Sequence, residues 1–214
     1  MIGLVWKDIL VMRKTLRAYA LFLAFYFILG VMGAFDISMV TAMLQVILLM
    51  LPISAFSYDE LAKWNRYAMT FPLGRRAVVG ARYLFCLLTA LFANACGLLI
   101  CVFTSLMGRS QLVENLAAVL VSLGVGLIIV DIMLPLCYKL GPERARPYLY
   151  VVVFFPIIAL FLASKLGFHM DLSFLDRMSA TSALGVFALV PLIALAGTWL
   201  SWLISCRIMA DKEF

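Results

Sequence analysis

The sequence predicts an all-α integral membrane protein with six transmembrane helices, an N-terminal amphipathic interfacial helix and a short cytoplasmic helix between spans 2 and 3. Hydrophobic residues account for 66% of the 214 positions and charged residues for 13%, about half the ~25% of soluble domains. Such a chain lacks the polar side chains that cover a soluble fold, and it is too apolar to remain disordered. Its apolar residues form long runs without the alternation of β-barrel strands.

Six of these runs reach the ~20 residues that a helix needs to cross the hydrocarbon core of a bilayer. Together they form a single transmembrane domain over residues 1–214. The leader before the first run has no cleavage motif of a signal peptide, so we expect the first span to stay attached. The predicted spans are 19–35, 38–56, 83–107, 116–138, 148–164 and 183–206.

The basic residues predict the orientation of the spans. Of the 17 Lys and Arg residues, 14 fall on one side, in the leader, residues 57–82, residues 139–147 and the C-terminal tail. Lys and Arg collect on the cytoplasmic side of membrane proteins, so both termini are predicted to be cytoplasmic. Contact with anionic lipid accounts for the net charge of +6, and we expect no nucleic-acid partner.

The leader has the pattern of an amphipathic helix. Its basic residues fall on another face from its apolar residues, as in a helix that lies on the membrane interface. The alternative is a simple orientation signal without a structure of its own. The apolar positions recur at spacings of three and four residues, at Ile2, Val5, Ile9, Met12 and Leu16.

The segment 58–71 is predicted to form a short cytoplasmic helix that ends before Pro72 and Gly74. Asp59 and Lys63 have the spacing of a local ion pair on a helix. The apolar stripe could lie in a groove of a partner protein, or its aromatic residues could lie among the lipid headgroups. The stripe consists of Leu61, Trp64, Ala68 and Phe71.

Two further loops have recognisable patterns. The cytoplasmic segment 134–147 is predicted to be a compact turn, because Gly141-Pro142 interrupts its helix. The outer segment 165–182 is apolar enough for a short helix at the outer leaflet. The charged and turn-forming residues of the cytoplasmic turn are Lys139, Gly141, Glu143, Arg144 and Arg146.

Asp131 is the only charged residue within the six predicted spans. An intramembrane acid is energetically expensive and commonly marks a functional site, so Asp131 could line a path for a cationic or amphipathic substrate. The alternative is a structural role in which a neighbouring amide satisfies it. Gln45 and Asn94, near the centres of their spans, are candidate partners and candidate members of the same path.

The sequence lacks the motifs of the common catalytic sites. It has no phosphate-binding loop of the G-x-x-x-x-G-K-[ST] type, no H-E-x-x-H zinc motif and no G-x-S-x-G nucleophile elbow. The five cysteines lie in apolar runs, and one histidine cannot build the usual zinc site. We therefore expect no catalytic residue, no metal and no cofactor in this chain.

Three motifs appear in order along the chain. The leader contains LVWKDIL at residues 4–10, and the first cytoplasmic segment contains DELAKWNRY at 59–67, FPLGRR at 71–76 and ARY at 81–83. The second contains LPLCYKLGPERAR at 134–146. With these motifs at these positions, the sequence resembles the permease subunits of bacterial ABC transporters of the ABC-2 type, and the resemblance covers the whole chain.

The resemblance implies a permease in a bacterial plasma membrane, paired with a second permease copy or paralogue and driven by a separate ABC ATPase subunit. The leader would be the connecting helix, and the helix between spans 2 and 3 would be the coupling helix seated in the ATPase. The resemblance does not imply a substrate. Relatives are associated with export of, or immunity to, amphipathic peptides and other hydrophobic compounds, so we expect export of an amphipathic or hydrophobic substrate such as a peptide. The residues implied in coupling are Asp59, Glu60, Trp64, Arg66, Tyr67 and Phe71.

A protein of another class would explain the same composition. It would be a stand-alone membrane immunity protein or an intramembrane lipid enzyme. An enzyme of that kind would depend on Asp131 and would need no ATPase, whereas a permease would depend on a partner that carries a phosphate-binding loop.

Overall fold

A computed structural model describes residues 2–33, 37–64, 67, 74–106, 112–165 and 180–211. These residues form helices and turns, with no strand among them, which confirms the predicted all-α class. The helices are α1 (Ile2–Val11), α2 (Arg13–Met32), α3 (Ile37–Leu61), α4 (Gly74–Leu106), α5 (Leu112–Leu140), α6 (Pro142–Lys165) and α7 (Ala180–Asp211).

Five of the described helical segments are long and apolar enough to cross a membrane. They coincide with the first four predicted spans and the last one, and they are Arg13–Met32, Met39–Leu61, Gly74–Leu106, Asn115–Leu140 and Gly185–Asp211. The predicted span 148–164 lies within α6, several of whose side chains are outside the described residues, so the number six stays a prediction. The predicted outer helix at 165–182 lies mostly outside the described residues as well.

The helices extend further than the predicted spans at the end of the bundle where the basic segments lie. Helix α3 continues to Leu61 instead of ending near residue 56, and α4 begins at Gly74 instead of residue 83. Much of the predicted segment 57–82 is therefore helical backbone that continues the spans. The sequence-based spans stopped earlier because the added helical turns contain charged and polar residues. In the structure these residues form ion pairs and hydrogen bonds with other helices, as Asp59 does with Arg82 and Arg75 with the end of α7.

The leader forms α1, but its buried face differs from the predicted stripe. Val5, Asp8 and Met12 are buried, whereas Ile2 is 83% exposed and lies outside the core. Helix α1 ends at Val11, and α2 starts at Arg13 and continues through the first predicted span. Asp8 belongs to this buried face because it forms an ion pair with Arg82, a residue that is distant in sequence.

Helix α5 lies at the centre of the bundle and packs against α3, α4, α6 and α7. The core lies mainly between α3, α4 and α5, with Phe56, Phe85 and Leu134 among its buried side chains. Helix α2, by contrast, has many exposed apolar side chains, among them Phe22 and Phe25. An outward apolar surface of this kind is expected of a helix that faces lipid.

Helices α5 and α7 approach each other closely at Gly124. A Cβ atom at this position would lie 2.5 Å from Val190 Cγ1, 2.9 Å from the Val190 carbonyl carbon and 3.0 Å from the Pro191 nitrogen. Two of these atoms belong to the backbone, so they cannot move aside without shifting the helix. We expect Gly124→Ala to lower the stability of the purified protein by about 1–3 kcal/mol.

The thermal midpoint in detergent measures this effect. The matched control is Gly185→Ala in α7, because no atom lies within 4 Å of the Cβ position there. Alanine also has the higher helix propensity, so the control is expected to be neutral or stabilising. Equal midpoints for Gly124→Ala and the wild type would contradict the close approach of the two helices.

Candidate functional site

Two acids and two bases meet at the end of the bundle where α1, α3 and α4 come together. Helix α1 supplies Lys7 and Asp8, α3 supplies Asp59 and α4 supplies Arg82; we call these four residues the ion-pair cluster. Lys7 Nζ lies 2.9 Å from Asp8 Oδ1 and 2.8 Å from Asp59 Oδ1. Arg82 Nη1 lies 3.0 Å from Asp8 Oδ2, and its Nη2 pairs with Asp59 Oδ2. Each base therefore bridges both acids.

The cluster is buried, and its charges balance. The side chains of Arg82 and Asp8 are each 6% exposed, that of Asp59 is 13% exposed and that of Lys7 is 21% exposed. Buried charges are tolerated when they are paired and hydrogen-bonded, and removal of one partner leaves an uncompensated charge. The cluster is thus a stable junction only while all four residues are present.

Aromatic rings surround the cluster. Lys7 Nζ lies 4.2 Å from the centroid of the Trp64 ring, and Arg82 Cζ lies 4.9 Å from the centroid of the Phe56 ring. The Phe56 ring in turn meets Tyr138 of α5 edge to face, with 4.9 Å between the centroids. Cation–π contacts stabilise such pairs. They connect the chain beyond α3, at Trp64, with α1 and with the centre of the bundle.

The residues implied in coupling do not lie on one helix. Asp59 and Glu60 belong to the last turn of α3, and the chain then turns at Lys63, which has a left-handed φ of 50°. Within the described residues Asp59 pairs with Lys7 and Arg82 rather than with Lys63, contrary to the predicted local pair. The buried Arg82 prevails because electrostatic attraction is stronger at low dielectric than at an exposed helix surface.

After this turn the structure describes two aromatic residues of the segment. Trp64 is half-buried against Lys7, and Tyr67 is 62% exposed. Leu61, at the end of α3, is 82% exposed. Arg66 and Phe71 lie outside the described residues.

The predicted cytoplasmic turn packs beside the end of α3. Gly141 has a φ of +83°, which favours glycine, and a Cβ atom there would lie 3.6 Å from Glu60 Oε1. Arg146 Nη2 lies 3.5 Å from Ser57 Oγ and 3.3 Å from Glu143 Oε1. The turn is therefore held against the residues that lead into the segment 61–67. Its remaining charged residues, Lys139 and Arg144, are exposed.

The two ends of the described chain lie at this same end of the bundle. Helix α1 joins the ion-pair cluster near the start of α4. Arg75, at the start of α4, donates hydrogen bonds to the carbonyl oxygens of Met209 at 3.2 Å and Ala210 at 2.5 Å. These carbonyls are at the C-terminus of α7, where a helix has no donor partners of its own for its last carbonyl groups.

Asp131 lies deeper in the bundle, and its predicted amide partners do not reach it. The Asp131 residue is 8% exposed, and neither carboxylate oxygen has a hydrogen-bond partner among the described residues. Asn94 instead donates to the Ala90 carbonyl of its own helix at 2.9 Å and accepts from Ser122 at 3.4 Å. Gln45 Oε1 is buried and is likewise without a partner in the described part of the chain.

Asp131 lines a cavity of about 230 Å³ between α4, α5 and α7. Tyr83 Oη lies 2.5 Å from Ser201 Oγ and 2.8 Å from Ser205 Oγ, and Ser201 donates to the Asp131 carbonyl oxygen at 2.5 Å. Sequence patterns did not single out these hydroxyls or the two tryptophans of the cavity wall, because serines and aromatic residues are common in spans. No described cluster of three His, Cys, Asp or Glu side chains is placed to hold a metal ion.

The comparisons with known proteins give one result. The family model described as ABC-2 family transporter protein matches residues 3–210. No curated protein and no solved structure matches the chain. The matched range includes the ion-pair cluster, the turn beside α3 and the cavity at Asp131. The match confirms the resemblance that the three motifs indicated, and the chain therefore belongs to the ABC-2 family of membrane transporter proteins.

Proposed function

We propose that this chain is a permease subunit of an ABC exporter, driven by a separate ATPase that docks at the end of the bundle with the ion-pair cluster. One observation carries the proposal: all three motifs meet at that end. Lys7-Asp8 of the first motif pairs with Asp59 and Arg82 of the second, and Gly141 of the third lies beside Glu60. Family membership supports a transport role and no catalysis in the chain itself.

The segment 61–67, which we call the coupling segment, is the proposed docking surface. Its described apolar side chains include Leu61 and Tyr67, which are 82% and 62% exposed. Exposed apolar and aromatic side chains of this kind suit a groove in a partner protein. Arg66 and Phe71 remain proposed contacts on the strength of the sequence pattern.

The ion-pair cluster is proposed to transmit movement of the coupling segment to the membrane helices. Trp64 touches Lys7, which pairs with Asp59, and Arg82 links both to the start of α4. A displacement of the coupling segment by a closing ATPase would therefore move α1, α3 and α4 together. The packed helices and buried charges favour a rigid response over a local one.

The same end of the bundle is proposed to face the cytoplasm of a bacterial cell, with both termini on that side. It carries Lys7, Arg75, Arg82 and the basic turn, in agreement with the tendency of Lys and Arg to remain cytoplasmic. A second permease copy or paralogue is proposed to complete the path. The cargo is proposed to be amphipathic or hydrophobic, such as a peptide.

Affinity purification of the chain from its native membrane in mild detergent tests this proposal. We expect a stoichiometric subunit with a phosphate-binding loop to accompany it. A homo-oligomer without any ATPase, even after crosslinking, would contradict the proposal. It would favour a stand-alone immunity protein or an intramembrane lipid enzyme, whose activity would then depend on Asp131.

A further inference from the structure

We infer that the cavity between α4, α5 and α7 binds an organic cation, which pairs with the carboxylate of Asp131. Only one part of this inference rests on the proposed function, namely that the cation is the charged group of the transported cargo. The geometry of the cavity supports the binding itself, whatever the source of the cation.

The carboxylate of Asp131 is buried without a hydrogen-bond partner in the described part of the chain. Asp131 is 8% exposed, and both of its oxygens lack a hydrogen-bond partner among the described residues. A buried charge without a partner is very unfavourable. Charged residues within membrane spans usually pair with each other or mark the path of a substrate. The carboxylate thus has an open position for a cationic partner.

Two arginines of α4, Arg82 and Arg75, are engaged away from Asp131. Arg82 lies one residue before Tyr83 of the cavity wall, but its guanidinium group pairs with Asp8 and Asp59. Arg75 donates to the carbonyl oxygens at the end of α7. Neither arginine therefore pairs with Asp131, whose two carboxylate oxygens have no hydrogen-bond partner among the described residues.

The lining of the cavity suits an organic cation. Its walls are apolar and aromatic apart from Asp131 and a few hydroxyl groups, and they include Leu87, Leu127, Trp199 and Trp202. The ring centroids of Trp199 and Trp202 are 5.4 Å apart. The faces of such rings attract organic cations. Trp199 is 65% exposed on the outside of the bundle, so one wall of the site is reached from the lipid side.

The backbone of α7 passes close to the carboxylate at Gly197. A Cβ atom at Gly197 would lie 3.2 Å from Asp131 Oδ2, so glycine leaves room for this oxygen. Ser201 holds the backbone carbonyl of Asp131 at 2.5 Å. The backbone that carries the carboxylate is therefore held in place before a ligand arrives, which reduces the cost of binding.

The volume limits the class of ligand. Sites for drug-sized molecules measure about 300–1,000 Å³, whereas this cavity measures about 230 Å³. It suits an ammonium group with the first part of an apolar chain, while the rest of the molecule extends between the helices. An amphipathic amine, or an amine-bearing side chain of an apolar peptide, meets these requirements.

Quenching of tryptophan fluorescence tests the inference on the purified chain in phosphatidylcholine nanodiscs, without an ATPase. The probe is 10-bromodecyl-trimethylammonium, and 10-bromodecanol is the neutral probe of equal length. We expect saturable quenching by the cation, about 10- to 100-fold weaker binding to Asp131→Asn, and no such difference for the alcohol. The matched control is Asp211→Asn, which removes an exposed acid from the end of α7 away from the cavity and is expected to bind as the wild type does.

A second variant separates lost binding from lost folding. Thr198 lines the cavity, so Thr198→Lys supplies a resident ammonium group for Asp131. It is expected to raise the thermal midpoint and to exclude the cation, whereas a misfolded variant would have a lower midpoint. Unchanged affinity in Asp131→Asn, or equal quenching by both probes, would overturn the inference.

The two proposals can fail separately. Co-purification of an ATPase without cation binding would overturn only the cavity assignment. Cation binding without an ATPase in the native membrane would overturn the exporter proposal and leave a cation-binding membrane protein.

Discussion

Replacement of Trp64 and Tyr67 together by alanine is expected to abolish co-purification of the proposed ATPase while the chain still inserts into the membrane. Aromatic anchors in the centre of an interface commonly contribute about 2 kcal/mol or more each, so the double loss weakens binding by roughly 1,000-fold. Membrane insertion depends on the apolar helices, which neither residue belongs to. Quantitative pull-down of the partner, normalised to permease in the detergent extract, measures the effect.

The single variants separate a loss of ATPase docking from a loss of the contact between Trp64 and Lys7 of α1. Tyr67→Ala leaves the contact between Lys7 and Trp64 intact, and Trp64→Phe keeps an aromatic ring over the Lys7 ammonium group. Trp6→Ala is the matched control, because Trp6 is an exposed aromatic residue at the same end, 61% exposed, outside the coupling segment. Undiminished co-purification of the double variant would show that the ATPase docks elsewhere.

The fold class could be predicted because it depends on composition and length. Twenty apolar residues in succession have few alternatives to a membrane helix, since backbone polar groups must be satisfied within the segment. The ends of the helices could not be predicted in the same way. The stretches from Ser57 to Leu61 and from Gly74 to Arg82 contain polar and charged side chains that break the apolar pattern. Some of these side chains pair with α1, α7 and the turn at Gly141, which are distant in sequence.

The pairing within the candidate site could not be predicted from the sequence for a related reason. Local rules matched Asp59 with Lys63, which lies four residues away along the chain. Contacts between the three helices join residues that are far apart along the chain, as in the pairs of Asp59 with Arg82, of Lys7 with Asp59 and of Asp8 with Arg82. The motifs did contain these residues, but a motif read along the chain does not state which of its members touch.

The importance of Asp131 could be predicted from the sequence, but the residues that surround it could not. The sequence identified it as the one acid within the predicted spans, and the structure places it in a cavity. Its surroundings depend on the register between α5 and α7, which brings Gly197 to the carboxylate and Gly124 to Val190. Apolar helices of this length have no periodic feature that fixes such a register.

Replacement of Arg82 by methionine is expected to lower the stability of the protein more than Gly124→Ala does. It leaves Asp8 and Asp59 buried with Lys7 as their only base in the cluster, so the cluster carries a net charge of −1. Loss of one partner from a buried ionic group costs about 3–5 kcal/mol. We therefore expect a thermal midpoint lower by about 10 °C, or little folded protein in the membrane.

A second mutation tests whether charge balance is the cause. Asp59→Asn added to Arg82→Met returns the cluster to neutrality, with Lys7 and Asp8 still paired at 2.9 Å, so the double variant is expected to recover about half of the lost stability. Arg75→Met is the matched control, because this arginine of the same helix binds backbone carbonyls and, among the described residues, pairs with no acid. Asp59→Asn should therefore not rescue it. If Asp59→Asn destabilised both arginine variants equally, the residues of the cluster would contribute to stability independently of one another, and the proposed rigid link between the coupling segment and the membrane helices would be wrong.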